Sequence, residues 1–360
     1  MNSSILPFKG WIAGLALFAA IELAIYAVGP TSPFDRTNFL QFSFAHDETP
    51  QRLFVFDKMK TFADSNPTIV QSGDSSGFYG IEPAVVMRHL PAGTEYLNMS
   101  CCANLGFRGY YNILEFMLQR NPSIRYAVLH FTPYTMPRPE TWDSDGAAIW
   151  SVPELKVFGG AVHEEYLSIW RLFHVPSLAY RRQVSDFVYY VHGLLNDPKR
   201  PLLNNVNYLE FLKVFRQNKG WMRETDPRVG VSPAECDIPT PDFFSFRKMA
   251  DKSYLEEVLD TYAALAARYK VKLVVVFQPV ACTLGTGNGS AKARQVIEQF
   301  KHDHPEVEIP FPLIETWPSD MFSVPAHVRW EYTDRIGDRL GEAMKQIMAR
   351  TEAGEATPKH

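Results

Sequence analysis

Two side chains in this sequence are placed to act as a nucleophile and its base: Ser75 and His327. Ser75 ends the stretch Gln71-Ser72-Gly73-Asp74-Ser75, which follows a short β-prone run, Pro67 to Val70. Glycine lets the chain turn sharply, leaving the serine at the end of a strand, where open α/β sheets place their chemistry. Gly73 and Asp74 are read as the residues that shape this turn. A serine hydroxyl is a weak nucleophile at its own pKa and needs a nearby base. His327 stands just before the last helical pattern of the chain. A parallel sheet that brings its first and last strands to one edge can carry it to Ser75. A third segment, Asn98 to Gly106, follows the second predicted strand. The N–H of Ser75, the Asn104 amide and the N–H of Gly106 are candidate donors to an oxyanion. Alone, Ser75 reads as a turn serine and His327 as an ordinary helix-start residue. Together, in this order of elements, they point to acyl transfer through an acyl-serine.

The elements that must position them alternate. Glu95–Met99 and Arg125–Phe131 read as the second and third strands, with a helical pattern through Ile113, Phe116 and Met117 between them. Ser253-Tyr254-Leu255-Glu256 has the form of a capping box and opens a helix through Tyr269. Val271–Val280 is a continuous apolar run, the pattern of a strand covered on both faces. Ala291–Phe300 reads as a helix, Glu308–Ile314 as a fifth strand, and Ile336, Leu340, Met344 and Ile347 as the buried side of a last helix. This alternation predicts an α/β fold with a parallel sheet between two layers of helices, in a flavodoxin-like order. An insertion over about 135–250 breaks the alternation. It is rich in aromatics, among them Trp142, Trp150, Tyr166, Trp170, Phe173, Tyr180, Phe187, Tyr189 and Tyr190. It reads as a mostly helical cap whose rings either pack onto the sheet or stack on sugars.

At the N-terminus, Trp11–Val28 is an apolar run of about the length that crosses a bilayer as a helix. Lys9 precedes it, and the run ends Tyr26-Ala27-Val28-Gly29-Pro30, a poor cleavage site, which favours an uncleaved signal anchor with its N-terminus in the cytoplasm. Glu22 lies within the run, where a carboxyl should face protein rather than lipid. A contact with a membrane partner and a tolerated, protonated Glu22 are both open. The predicted organisation is an anchor over 1–30, a juxtamembrane linker and short lead-in helix over 31–66, the α/β domain over 67–350, and a disordered tail over 351–360.

Other clusters say less. A net charge of −4 and the lack of any DNA- or RNA-binding motif argue against nucleic acid. Cys101, Cys102, Cys236 and Cys282 form no CxxC pair, so no structural zinc site is indicated. Buried thiols and a disulfide through Cys236 both remain open. Gly285–Gly289 lacks the spacing of a phosphate or dinucleotide loop and reads as a plain loop. His302, Asp303 and His304, like His163, Glu164 and Glu165, imply no further ligand. No metal and no cofactor is expected.

The Gly73-Asp74-Ser75 block, the turn Asn98–Gly106 and His327 before the last helix resemble the SGNH (GDSL-type) hydrolase superfamily. The likeness covers residues 66–134 and 253–347 and leaves the insertion unaligned. It implies Ser75 as nucleophile and His327 as base. Members carry Asp three residues before the histidine, where this chain has Val324; Asp320 is the nearest acidic residue upstream. The likeness thus implies either Asp320 as a displaced orienting acid or a Ser–His dyad. The family's Gly-x-Asn-Asp block is replaced by His130-Phe131-Thr132-Pro133, so Asn104 is expected to supply the missing oxyanion donor. One anchor helix joined to such a domain is similar to the accessory proteins of alginate O-acetylation and teichoic-acid D-alanylation. That resemblance implies an O-acyltransferase in the inner membrane, its catalytic domain on the periplasmic side. A multi-spanning membrane O-acyltransferase would be the donor and a polysaccharide the acceptor. The alternatives are a carbohydrate esterase or deacetylase, and an inactive scaffold subunit.

Overall fold

A computed structural model describes residues 5–28, 58–59, 61–101, 106–133, 213–214, 216–223, 252–281, 288–324 and 327–355. The linker over 31–50, most of the aromatic insertion, Asn104, Cys102, Cys236, Cys282 and the His163–Glu165 group lie outside the described residues. The chain divides into two compact units, one of residues 1–56 and 147–208, the other of 57–146 and 209–360.

In the first unit the described element is α1, Ile5–Val28. At 1.5 Å per residue a helix of 24 residues is about 36 Å long. The helix begins ahead of the apolar run and takes in Lys9. Its described side chains include Trp11, Ile12, Leu15, Leu17, Phe18, Ile21 and Leu23, all exposed. Among the described residues no helix is long and apolar enough to cross a membrane.

The second unit is the α/β part. In chain order it holds β1 (Ile69–Gly73), α2 (Ser75–Gly80), α3 (Pro83–Met87), β2 (Tyr96–Asn98), α4 (Gly106–Arg120) and β3 (Tyr126–Phe131). After the insertion come α5 (Lys252–Tyr269), β4 (Lys272–Phe277), β5 (Val280–Ala281), α6 (Asn288–Asp303) and β6 (Thr316–Trp317). The chain closes with β7 (Phe322–Val324), β8 (His327–Val328) and α7 (Thr333–Glu355). Four strands make one parallel sheet in the order β2-β1-β3-β4. Its strands are apolar on both faces because helices cover both. Ile69, Tyr126, Val128, Val274 and Val276 pack with Val86 of α3 and Ile336, Leu340, Met344 and Ile347 of α7. On the opposite face, Phe131 meets Phe107 and Phe277 edge-on, and the Tyr262 hydroxyl of α5 donates to the Phe107 carbonyl of α4 at 2.6 Å. Helix, sheet, helix: three layers.

Four of the five expected core strands form this sheet. The fifth is reduced to Glu308, which bridges Val274 in parallel. Its N–H donates to Leu273 at 2.9 Å and its carbonyl accepts from Val275 at 2.8 Å. Pro310 and Pro312 follow, and proline cannot donate to a ladder. Pairing resumes further on as the small β5–β6 sheet. The run Val271–Val280 is interrupted in the same way: β4 ends at Phe277, and Pro279 separates it from β5. Three boundaries also differ from expectation. The α5 helix starts at Lys252, ahead of the Ser253 box. The last two residues of the glycine-rich Gly285–Gly289 stretch open α6. The predicted tail is helical as far as Glu355, with the Thr351 hydroxyl donating to the Ile347 carbonyl at 3.0 Å.

Candidate functional site

Ser75 is the first residue of α2, and Asp74 caps that helix. Asp74 is buried, and both of its carboxylate oxygens are used. Oδ1 accepts from the Ser76 N–H at 3.0 Å and from the Ser76 hydroxyl at 2.5 Å. Oδ2 accepts from the Thr132 N–H at 2.9 Å, at the end of β3. The Asp74 N–H donates to the His130 carbonyl at 3.3 Å. These bonds tie the turn to β3 and leave the Ser75 side chain projecting from the sheet edge, half-buried.

His327 reaches the same point from the other end of the chain. Its Nε2 lies 2.8 Å from the Ser75 Oγ. The short hairpin β7–β8 carries it, with Val324 opposite His327. The Tyr79 ring of α2 lies against the imidazole, with centroids 5.2 Å apart. Asp320 sits in a one-turn 3₁₀ helix, Ser319–Met321, and is exposed. The structure therefore brings Ser75 and His327 together.

The turn after β2 has largely used its own N–H groups. Met99 donates to the Gln71 carbonyl at 2.7 Å, Cys101 to the Gly73 carbonyl at 3.0 Å, and Ser100 to the Asn98 Oδ1 at 3.0 Å. Gly106 opens α4, and Asn104 lies outside the described residues. Lys58, fully buried, donates to the Asn98 carbonyl at 3.1 Å and to that of Ser100, and lies over the Phe78 ring at 4.2 Å. The turn is thereby held from below as well as from its flank.

A polar floor lies under α2. Asn98 and His130 stand at or next to the last positions of their strands, Gln71 at the middle of β1, and Gln278 follows β4. The Tyr96 hydroxyl donates to Gln71 Oε1 at 2.5 Å. Gln71 Nε2 donates to the Ser100 hydroxyl at 2.7 Å, and Asn98 Nδ2 donates to the carbonyls of Gly77 and Ile81 at 2.8 and 2.9 Å. Gly77 rests directly on this floor: a Cβ there would lie 2.6 Å from Gln71 Nε2 and 2.8 Å from His130 Nδ1. His130 is fully buried and neither ring nitrogen has a hydrogen-bond partner. Burial pushes its pKa down to about 4, with the neighbouring Asp74 charge pulling the other way. The imidazole is accordingly neutral near pH 7. These residues carry a signal in the sequence: each is a polar side chain at the end of an otherwise apolar run.

The segment 216–223, returning from the insertion, closes one flank. The Asn98 N–H donates to the Lys219 carbonyl at 3.0 Å, and Gly220 passes so near that a Cβ would meet the Asn98 carbonyl at 2.0 Å. Trp221 Nε1 donates to the Tyr79 carbonyl at 2.8 Å. Sequence reasoning missed both Trp221 and Tyr79, because their value depends on contacts distant in the chain.

The surface histidines are engaged elsewhere. His304 meets Asp260 and Glu306 at 3.0 and 3.1 Å, and His302 meets Asp303 at 2.9 Å. Among the described residues no group of three His, Cys, Asp or Glu side chains is placed to hold a metal ion. No protein-family model matches the chain, and no curated protein matches its sequence.

Proposed function

We propose that the protein is an SGNH-like serine O-acyltransferase that passes an acyl group, acetyl in the simplest case, to a polysaccharide on the outer side of the membrane. The observation that carries this reading is the 2.8 Å contact between Ser75 Oγ and His327 Nε2 at the C-terminal edge of the sheet. The strand order β2-β1-β3-β4 supports it, being the order of the first four strands in a flavodoxin-like sheet. The apolar run Trp11–Val28, taken from the sequence, supports an N-terminal membrane anchor, and a multi-spanning O-acyltransferase would then serve as the acyl donor.

In the proposed reaction His327 Nε2 takes the Ser75 hydroxyl proton as Oγ attacks the acyl carbonyl carbon. That requires Nδ1 to carry the ring proton at the start. The Ser75 N–H, with Gly106 and Asn104 as further donors, stabilises the oxyanion. Collapse breaks the bond to the donor, whose leaving oxygen receives the proton from His327, and leaves acyl-Ser75. An acceptor hydroxyl then gives its proton to Nε2 and attacks the acyl-serine. Collapse of that second adduct returns the proton to Ser75 Oγ. Water in place of the sugar hydroxyl gives an esterase, with the same residues in the same roles.

Intact mass of the full chain in detergent, after incubation with an activated acetyl ester, tests the reading. A gain of one acetyl group that is lost in Ser75→Ala supports it. Absence of acylation in a folded protein would move the assignment to a scaffold subunit. Product analysis with and without oligosaccharide then separates transfer from hydrolysis.

A further inference from the structure

Three positions after His327 stands an aromatic side chain that the fold leaves partly uncovered. Trp330 follows His327 by three positions, in a one-turn 3₁₀ helix, Trp330–Tyr332. It is 44% exposed. Among the described residues of this unit, only Val214 and Trp330 are large apolar side chains left so open. A single exposed apolar side chain needs no explanation by itself; what distinguishes Trp330 is its place three residues from His327 and the guanidinium on its ring.

One side of the ring is already taken. The Arg223 guanidinium carbon lies 3.2 Å from the Trp330 ring centre. Arg223 is itself exposed and follows Trp221 by two residues. Trp221 is tied to the Tyr79 carbonyl, and the Tyr79 ring lies on His327. Two separate stretches of chain thus converge beside the reactive histidine and present an indole with a guanidinium stacked on it. A guanidinium stacked in this way keeps its N–H edge available for hydroxyl or carboxylate oxygens. Glu331, next in the chain to Trp330, pairs with Arg329 at 3.1 Å, and its carboxyl is held down by that arginine first and by Arg223 to a lesser degree.

From this arrangement we infer that Trp330 and Arg223 form an acceptor subsite for a glycan: a pyranose ring lies on the open indole face, and Arg223 hydrogen-bonds its oxygens. A sugar ring offers the C–H face and the ring of oxygens that such a pair can meet at once, which a simple alkyl chain does not. This deepens the proposed function and rests on it for the role of acceptor. The binding itself does not depend on acylation.

The test uses the full chain in detergent, carrying Ser75→Ala so that no turnover intervenes. Indole fluorescence and calorimetry follow titration with cellohexaose, a neutral probe, and with a galacturonate hexamer, an acidic one. At least one probe should bind, and Trp330→Ala should raise its Kd about tenfold or more. Trp330→Phe, which keeps a stacking ring, should fall between, and Val214→Ser should bind like the parent. Tighter binding of the acidic probe, abolished by Arg223→Gln, assigns a carboxylate-bearing glycan; equal binding of both assigns hydroxyl recognition. No binding of either probe to the parent, or an unchanged Kd in Trp330→Ala, overturns the subsite. Acylation of Ser75 is read separately by mass. Trp330-dependent binding without acyl-serine would sink the transferase reading and leave the subsite standing; acyl-serine without such binding would do the reverse.

Discussion

Gly73 runs against the backbone of His130 so closely that a Cβ placed on it would lie 1.7 Å from the His130 carbonyl oxygen. The two residues are register partners in adjacent strands, and the next residue, Asp74, donates to that same carbonyl. The glycine of the Gly-Asp-Ser block is therefore required by a backbone contact, in addition to its φ of +155°. Gly73→Ala should cost about 2–4 kcal/mol, since the clash is with main chain and cannot be relieved by a rotamer change. Gly93→Ala is the comparison: φ is +85° there, but nothing lies within 4 Å of its Cβ. It should cost about 1 kcal/mol, the left-handed backbone penalty alone. Urea denaturation of the two variants beside the parent measures the difference; equal losses would refute the steric account.

Tyr79 should act as a positioning residue for His327. Its ring packs on the imidazole, and its carbonyl is fixed by the Trp221 indole. Tyr79→Ala removes the surface that keeps Nε2 aimed at Ser75 Oγ. The acylation rate constant should fall roughly tenfold to a hundredfold, as misplacement of a reacting group by an ångström does. Tyr79→Phe keeps the ring and should retain most of the rate. Single-turnover acylation over a range of ester concentrations separates rate from binding. A change confined to the half-saturating concentration would place Tyr79 in the substrate pocket instead.

The strands β1 to β4 were legible because each is a short apolar run bounded by turn residues. Ser75 and His327 were legible because one ends the first such run and the other precedes the last helical pattern. The fifth strand was overcalled: Glu308–Ile314 reads as β-prone, yet Pro310 and Pro312 leave only Glu308 able to exchange both backbone bonds with β4. The floor under α2 was illegible for a different reason. A polar residue such as Gln71 or His130 within a buried strand has no meaning until strand register sets them together on one face. Trp221 and Arg223 were hidden because the insertion that carries them shows no periodicity linking it to α2. Asp320 rests on nearness in sequence to His327 alone; it lies exposed in a 3₁₀ turn two residues before the hairpin strand that pairs with His327.

His130 should make the protein acid-sensitive through the floor of the site. Its folded pKa is lowered by burial, so the unfolded chain binds the proton more tightly. Its contribution is constant above the ordinary histidine pKa of about 6.5 and becomes unfavourable as pH falls from there toward about 4. His130→Asn removes the titrating group and keeps a polar side chain beneath Gly77. Thermal melts across pH 4 to 7 should show a shallower loss of stability in the variant than in the parent. Parallel curves would mean that His130 does not titrate in this range.

Glu115 should impose the opposite slope from the far side of the sheet. It is buried on α4 and pairs with Arg268 of α5 at 3.0 Å, while its second oxygen has no hydrogen-bond partner. Burial raises its pKa to about 7, and Arg268 only partly offsets this. A carboxyl with a raised folded pKa binds its proton more tightly when folded, so stability falls as pH rises from about 4.5 to about 7. Above that range the folded protein holds a charged carboxylate at a buried position, and one exposed arginine compensates it incompletely. Glu115→Gln keeps the shape and removes the charge. At pH 5 the variant and parent should unfold at similar denaturant concentrations, whereas at pH 8 the variant should match or exceed the parent. A variant weaker than the parent at pH 8 but not at pH 5 would show that the ion pair with Arg268 outweighs the burial cost, reversing the sign argued here.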